Sequence, residues 1–441
     1  MIKVVKFGGS SVANANQFKK VKNIVNAEDA RKFVVTSACG KEGKDDHKVT
    51  DLLYIVHAHV KYKVSVDDIF SLIEKKYYGI KEELGLNIDL DKEFKKIKED
   101  IAVDNDTDYL VSRGEYLTAL MLAEYLGAEF VDAKDVFKFN YDQTINMEKT
   151  NEALQKYLNT DKKIVFPGFY GSMPDGKIKV MSRGGSDITG SILANLLNAD
   201  LYENWTDVSG ILVCDPRIVA NPHRIDTITY SELREMSYMG ANVLHDEAVF
   251  PVKEKNIPIN IKNTNEPDNP GTMILASFDD KDDEGVKHAI TGITGKKDFS
   301  VVTCIKNHMS SEVGFMRKIL SVFEKYGISV EFCPSGVDSV DVVLATSKIK
   351  KYYYEIVDEL KVGLECDEVK VIDGIALVAV VGRRMRNKKR MSGQIFAELG
   401  ANDINIKIIS QGSDEICIIV GVDVNDFEKS IQCIYNKFTG E

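Results

Sequence analysis

Short strand-like runs alternate with helical stretches through the first part of this chain, and that alternation limits the possible folds more than any other feature. The runs are Lys3 to Phe7, Phe33 to Thr36, Glu129 to Asp132, Ile164 to Pro167 and Asp200 to Trp205. Strands joined through helices lie parallel, because a tight turn cannot bring the chain back to the same end of a sheet. The expectation is an α/β domain: a mostly parallel sheet sandwiched by helices. Between Thr50 and Tyr125 the pattern is almost purely helical, which reads as a helical insertion at about 50–125.

The first strand ends in Lys6-Phe-Gly-Gly-Ser-Ser11. Gly8 and Gly9 stop the β-branched run, and Ser10 and Ser11 precede a helical stretch with apolar Val12, Phe18, Val21 and Ile24. Glycines in a strand-to-helix turn let backbone N–H groups approach a phosphate, the helix N-terminus adds partial positive charge, and Lys6 would add a full one. A plain connecting turn with Lys6 on the surface is the alternative. No G-x-x-x-x-G-K-[ST] P-loop occurs in the chain.

Other segments carry polar groups at comparable places. Ser112-Arg-Gly-Glu115 has the spacing of a helix capping box, which explains Glu115 without any ligand; a carboxylate for a substrate ammonium is the second reading. Ser182-Arg-Gly-Gly-Ser-Asp187 repeats the glycine pair before a helix, with Ser186 as N-cap and Asp187 in the first turn. Alternatively Arg183 is a bidentate carboxylate partner and Asp187 orders nearby cations such as Lys6. Thr206 and Asp207 end a strand, where open parallel sheets bind ligands, and Asp215-Pro-Arg217 follows in a loop. Ser37-Ala-Cys-Gly40 also follows a strand, and Thr50 opens the next helix.

Composition narrows the class. A formal charge of −11 over 441 residues disfavours nucleic-acid and anionic-membrane partners. The seven cysteines form no C-x-x-C pair, so neither a zinc ribbon nor a disulfide framework is expected, nor any metal site. The opening MIKVVKF reads as a strand rather than a leader, and the longest apolar runs, such as Ile375 to Val381, are too short for a bilayer. A cytoplasmic protein is expected.

An acidic stretch from Asp279 reads as a linker over 279–290, closing a catalytic domain at 1–278. Beyond it the apolar pattern repeats after 76 residues: Ile319-Leu320 matches Ile395-Phe396, Phe323 matches Leu399, and Val342 matches Ile418. Each copy reads strand, helix, strand, strand. Two tandem α+β modules, 291–365 and 366–441, account for this.

Taken in order, KFGGSS, SACG, VTDLL, VSRGE, GFYG, SRGGSD, WTDVSGI, DPR and VLH resemble the aspartate kinases of the amino-acid-kinase superfamily. The tandem repeat resembles their pair of ferredoxin-like ACT modules, so the resemblance spans nearly the whole chain. It implies transfer of the γ-phosphoryl group of Mg²⁺-bound ATP to L-aspartate, giving 4-phospho-L-aspartate, the first step toward lysine, threonine and methionine. By the same resemblance Lys6 stabilises the phosphoryl group in flight, Gly8, Gly9 and Ser10 cradle phosphates, and Asp187 orients Lys6. Ser37, Thr50, Glu115, Phe169 and Arg183 would hold aspartate; Thr206, Asp207, Asp215 and Arg217 would hold the nucleotide. Ser10 replaces the usual threonine, Asn242 stands where the family commonly has a nucleotide-site lysine, and Asp246 replaces a proline.

For the ACT-like modules the resemblance implies an amino-acid effector, lysine preferred and threonine the alternative. The matching residues are Met309, Val313, Gly314, Phe315, Ser329, Val330 and Glu331. A homodimer or dimer of dimers through these modules is also implied. The basic run Arg383 to Arg390 reads as a solvated loop or an anion site. The competing readings are another amino-acid kinase and a catalytically silent amino-acid sensor.

Overall fold

The computed structural model describes residues 1–43, 45–158, 160–182, 184–241, 244, 246–277, 289–386 and 388–439. Arg183, Asn242, His245 of the VLH motif and most of the acidic linker lie outside the described residues. The chain forms two compact units. The first comprises Met1–Ile211, Asp226–Tyr230 and Val243–Phe278; the second comprises Leu212–Ile225, Ser231–Asn242 and Asp279–Glu441.

The first unit is built on strands β1 (Lys3–Phe7), β2 (Arg31–Thr36), β3 (Glu129–Phe130) and β4 (Ile164–Pro167). A short antiparallel hairpin, β5 (Tyr170–Ser172) and β6 (Ile178–Val180), stands apart. The sheet continues with β7 (Leu201–Thr206), β8 (Thr227–Thr229), β9 (Ile259–Asn263) and β10 (Thr272–Leu275). Its order is β3-β4-β2-β1-β7-β9-β10-β8, with β9 and β10 antiparallel and the other neighbours parallel. Every residue of β1 is buried, as a strand covered on both faces requires.

Four helices occupy the insertion: α1 (Ala15–Asn26) precedes it, and α2 (Val49–Lys61), α3 (Asp67–Leu84), α4 (Leu90–Val103) and α5 (Thr107–Leu126) build it. On α3 the core positions Phe70, Ile73, Tyr77 and Ile80 recur at helical spacing and meet Phe94 and Ile97 of α4 in one cluster. Gly85 and Gly127, both left-handed, end α3 and α5.

The second unit has one antiparallel sheet of five strands. They are β11 (Gly292–Ile305), β12 (Ser339–Ala345), β13 (Glu368–Val381), β14 (Ile408–Gln411) and β15 (Cys417–Asp423), in the order β12-β11-β13-β15-β14. The 76-residue repeat is literal here: the helix Phe315–Lys325 recurs as Met391–Ala401, displaced equally at both ends. The long strands β11 and β13 pair along most of their lengths and so join the two modules in one sheet, with Gly292 at the start of β11 opposite Val381 at the end of β13. In the first copy the expected second strand is reduced to isolated bridges, Phe332 to Val343 and Ser335 to Val340. Pro334 lies between them, and without an N–H it cannot complete a ladder.

Candidate active site

Four turns leave the carboxyl ends of adjacent parallel strands: Gly8-Gly9 after β1, Ser37-Gly40 after β2, Gly168-Phe169 after β4 and Thr206-Asp207 after β7. The ladder extends into them, because the N–H groups of Gly8, Ser37 and Gly168 donate to Trp205, Phe7 and Thr36 at 2.9, 3.0 and 2.9 Å. At β1 the chain has laid β2 on one side and later lays β7 on the other, and the crevice opens at that reversal of strand order. A cavity of about 1050 Å³ fills it.

At its floor the Lys6 ammonium lies 2.5 Å from the Asp187 carboxylate and 3.4 Å from the Asn204 side-chain oxygen. The Asn204 amide in turn donates to Asp187 at 2.8 Å. Parallel register places Asn204 beside Lys6, and the first turn of the helix Gly185–Leu196 brings Asp187 over both. The N-cap of that helix is Gly184, not Ser186; its φ of 79° is left-handed, a conformation glycine adopts without strain. Gly40 is constrained by contact: its N–H donates to the Gly9 carbonyl at 2.9 Å, and a Cβ on Gly40 would lie 2.5 Å from the Gly9 carbonyl carbon.

The capping-box reading of Glu115 fails. Helix α5 starts earlier, at Thr107 with Asp106 as its cap, so Ser112 and Glu115 sit in mid-helix and the Ser112 hydroxyl donates to the Tyr109 carbonyl. Glu115 instead reaches the cavity, 5% exposed, with Oε2 lacking a hydrogen-bond partner among the described residues. Burial pushes its pKa up to about 8, against the opposing pull of the Ala38 amide. A buried carboxylate with an orphan oxygen beside an open cavity is suited to an incoming cation.

Ser37, Thr50, Gly8, Gly9 and Ser10 line the same cavity, as do Thr206 and Asp207. Phe169 joins them with a φ of 78°, held by its N–H to the Thr189 hydroxyl at 3.0 Å. Asp215 and Arg217 belong to the second unit, where they pair with each other at 2.5 Å. That pairing keeps the Asp215 carboxyl below its ordinary range. Residues not anticipated are Asn204, Lys41 and Lys48. A polar side chain inside a buried strand was the available signal for Asn204; the lysines had none beyond closeness to the SACG turn.

Among the described residues no three His, Cys, Asp or Glu side chains converge on a metal position. Of the carboxylates lining the cavity, Asp187 is committed to Lys6, which leaves Asp51, Glu115 and Asp207. This donor set fits a Mg²⁺ ion that arrives on a triphosphate and keeps its waters rather than a resident ion.

The candidate effector residues spread over the first module. Met309 and Phe315 are in its core, Val313 is 97% exposed, and Gly314 has a φ of 80°. The Glu331 amide donates to Val343 at 2.8 Å, and its carboxylate accepts the Tyr238 hydroxyl. Within the basic run, Arg383 is not solvated: its guanidinium lies 3.3 Å from the fully buried Glu232.

A lysine and carboxylate pair under a glycine turn, at the reversal of strand order in a parallel sheet, is the equipment of a phosphoryl-transfer enzyme. The chain belongs to the amino acid kinase family, whose pattern matches residues 1–263, and residues 378–438 match the ACT domain. It is 36% identical to aspartokinase 3 of Bacillus subtilis over 99% of this chain and 98% of that one. The crystal structure of Clostridium acetobutylicum aspartate kinase, described as an allosteric enzyme, is 48% identical and superposes with a TM-score of 0.89 over 99% of this chain and all of that one. Escherichia coli aspartokinase III is 26% identical over 99% of each chain. Its complex with aspartate and ADP matches at a TM-score of 0.78, and its complex with lysine and aspartate at 0.75.

Proposed function

We propose that this protein is an aspartate kinase that moves the γ-phosphoryl group of ATP onto the side-chain carboxylate of L-aspartate. The attacking oxygen is already anionic at neutral pH. Its lone pair forms the bond to phosphorus while the bond to the bridging oxygen breaks, and ADP leaves with that electron pair. No proton is removed, so the site has to align the reactants and stabilise charge.

Lys6 does the second task, with Asp187 and Asn204 holding its ammonium in place. The N–H groups of the Gly8-Gly9 turn and the start of the helix Gly185–Leu196 face the same cavity and suit phosphate oxygens. Mg²⁺ would come with the nucleotide and neutralise charge on the phosphate oxygens. Thr206 and Asp207 are assigned to the nucleotide side, together with Asp215 and Arg217; Arg183 is assigned to a carboxylate of aspartate.

One observation carries the choice of substrate. The orphan Glu115 oxygen asks for an ammonium group, which aspartate has and an N-acetylated amino acid lacks. The test is ATP-dependent acyl phosphate trapped with hydroxylamine, comparing L-aspartate with L-glutamate and N-acetyl-L-glutamate. Product from aspartate alone, lost in Lys6→Ala, is expected. Product from a different acid would move the reading to a sister kinase, and no product at all would leave the silent sensor.

The second unit is read as the sensor of an amino-acid end product, lysine before threonine, and as the contact of a homodimer. The seven cysteines are all free, which suits a reducing cytoplasm. No helix among the described residues is long and apolar enough to cross a membrane.

A further inference from the structure

Lys76 lies on α3, outside every motif discussed above, yet its side chain is largely covered and its ammonium points at the active-site turn. It donates to the Gly40 carbonyl at 2.5 Å and to the Asp46 carboxylate at 2.6 Å. Asp46 also accepts the N–H groups of Glu42 at 2.8 Å and His47 at 2.7 Å. One ammonium therefore clamps both ends of the segment from Gly40 to His47. At its near end Gly40 donates to Gly9 at 2.9 Å, which joins the clamp to the phosphate turn. Lys41 lies within this segment and Lys48 follows it directly, and both line the cavity that contains Lys6. No ion pair reaches either of them among the described residues, whereas Lys6 is already neutralised by Asp187.

We propose that Lys76 is a positioning residue for a cationic loop: it holds Gly40 and Asp46 so that Lys41 and Lys48 meet the terminal phosphate of the bound nucleotide. The proposal rests on the kinase reading above and adds a second source of positive charge to Lys6. A solvated loop would leave its lysines anywhere, and a buried ammonium would not be spent on its backbone. The two pocket lysines supply charge; Lys76 supplies only their place.

Trp205, the one tryptophan of the chain, reports on this region, because its carbonyl accepts the Gly8 N–H. Its fluorescence, titrated with adenylyl-imidodiphosphate and separately with ADP, reads binding without turnover. Lys41→Ala with Lys48→Ala should weaken the triphosphate analogue by roughly tenfold, the size of charge-assisted contacts that remain partly wet, and ADP by much less. It should also flatten the salt dependence of the analogue. Lys76→Met should reproduce that loss, Lys76→Arg should restore most of it, and Lys76→Met added to the double variant should cost nothing more. Asp46→Asn is the second way to open the clamp should Lys76→Met fail to fold, and is expected to give the same selective loss. Additive losses, equal losses for the analogue and ADP, or wild-type binding in Lys76→Met would each overturn the proposal. A wild type that forms no aspartyl hydroxamate, yet binds the analogue through these lysines, would sink the kinase reading and leave this one standing.

Discussion

At the scale of single residues, Glu115 has the clearest chemical consequence. Its carboxyl rises from a usual 4.5 to about 8 because burial disfavours its charged form. The folded state therefore holds a proton that the unfolded chain has lost, and this group's contribution to stability falls as pH rises from about 4.5 to about 8. An ammonium group reverses the balance, since it favours the ionised form. Aspartate binding near neutral pH should thus release close to one proton, seen calorimetrically as a heat that varies with the ionisation enthalpy of the buffer. Glu115→Gln should abolish that release and weaken aspartate on the order of a hundredfold, as expected when a buried charge pair loses one member. Buffer-independent heats in the wild type would mean that Glu115 does not meet the ammonium. The orphan oxygen was invisible in the sequence: Ser112-x-x-Glu115 is locally identical to a capping box, and only the true start of α5 at Thr107 separates the two.

At the scale of elements, the glycine turns act as fitted parts. A Cβ on Gly40 would run into the Gly9 backbone, which has no flexible side chain to move aside, so the turn after β2 would be pushed off the turn after β1. Gly40→Ala should lower kcat about a hundredfold, the usual cost of misplacing reacting groups by an ångström. Gly79→Ala in α3, where a Cβ meets nothing within 4 Å, is the matched control and should leave kcat alone. A Gly40→Ala enzyme with normal kcat would show that the two turns move independently. The turn after β1 was legible because a glycine pair interrupts a β-branched run, whereas β1, β2, β4 and β7 were legible as short strand-like runs between helical stretches. The hairpin β5–β6 was not: strands of three residues carry too little alternation to stand out. Asn204 escaped because its role depends on lying beside Lys6 in another strand, a register that β1 itself does not encode. Pro334, by contrast, announces its broken ladder in one letter, and the repeat still suggested a strand there.

At the scale of the whole molecule, the route between the two units runs partly along the chain itself. Ser231–Asn242 clusters with the second unit, although the residues on both sides of it belong to the first. The helix Tyr230–Tyr238 ends at Tyr238, whose hydroxyl donates to the carboxylate of Glu331, one of the residues matched by resemblance to an effector site. Burial and that bond both push the Tyr238 hydroxyl up to about 12, so it stays a donor at any physiological pH. An effector amine bound at Glu331, as proposed above, would compete with Tyr238 for this carboxylate, and Tyr238 ends a helix whose chain begins in the first unit. Tyr238→Phe removes the competitor, so the half-inhibitory lysine concentration should fall by about threefold to tenfold, the net worth of one ordinary, solvent-exposed hydrogen bond. Glu331→Gln removes the shared site and should raise it by roughly tenfold or more. Both variants should keep the uninhibited kcat. By linkage, whatever factor lysine imposes on the dissociation constant of aspartate, aspartate must impose on that of lysine, and Tyr238→Phe should alter both together. Running the same titrations with threonine identifies the effector. If neither amino acid responds to Tyr238→Phe while Glu331→Gln still abolishes inhibition, Glu331 binds the effector but the helix is not what it displaces.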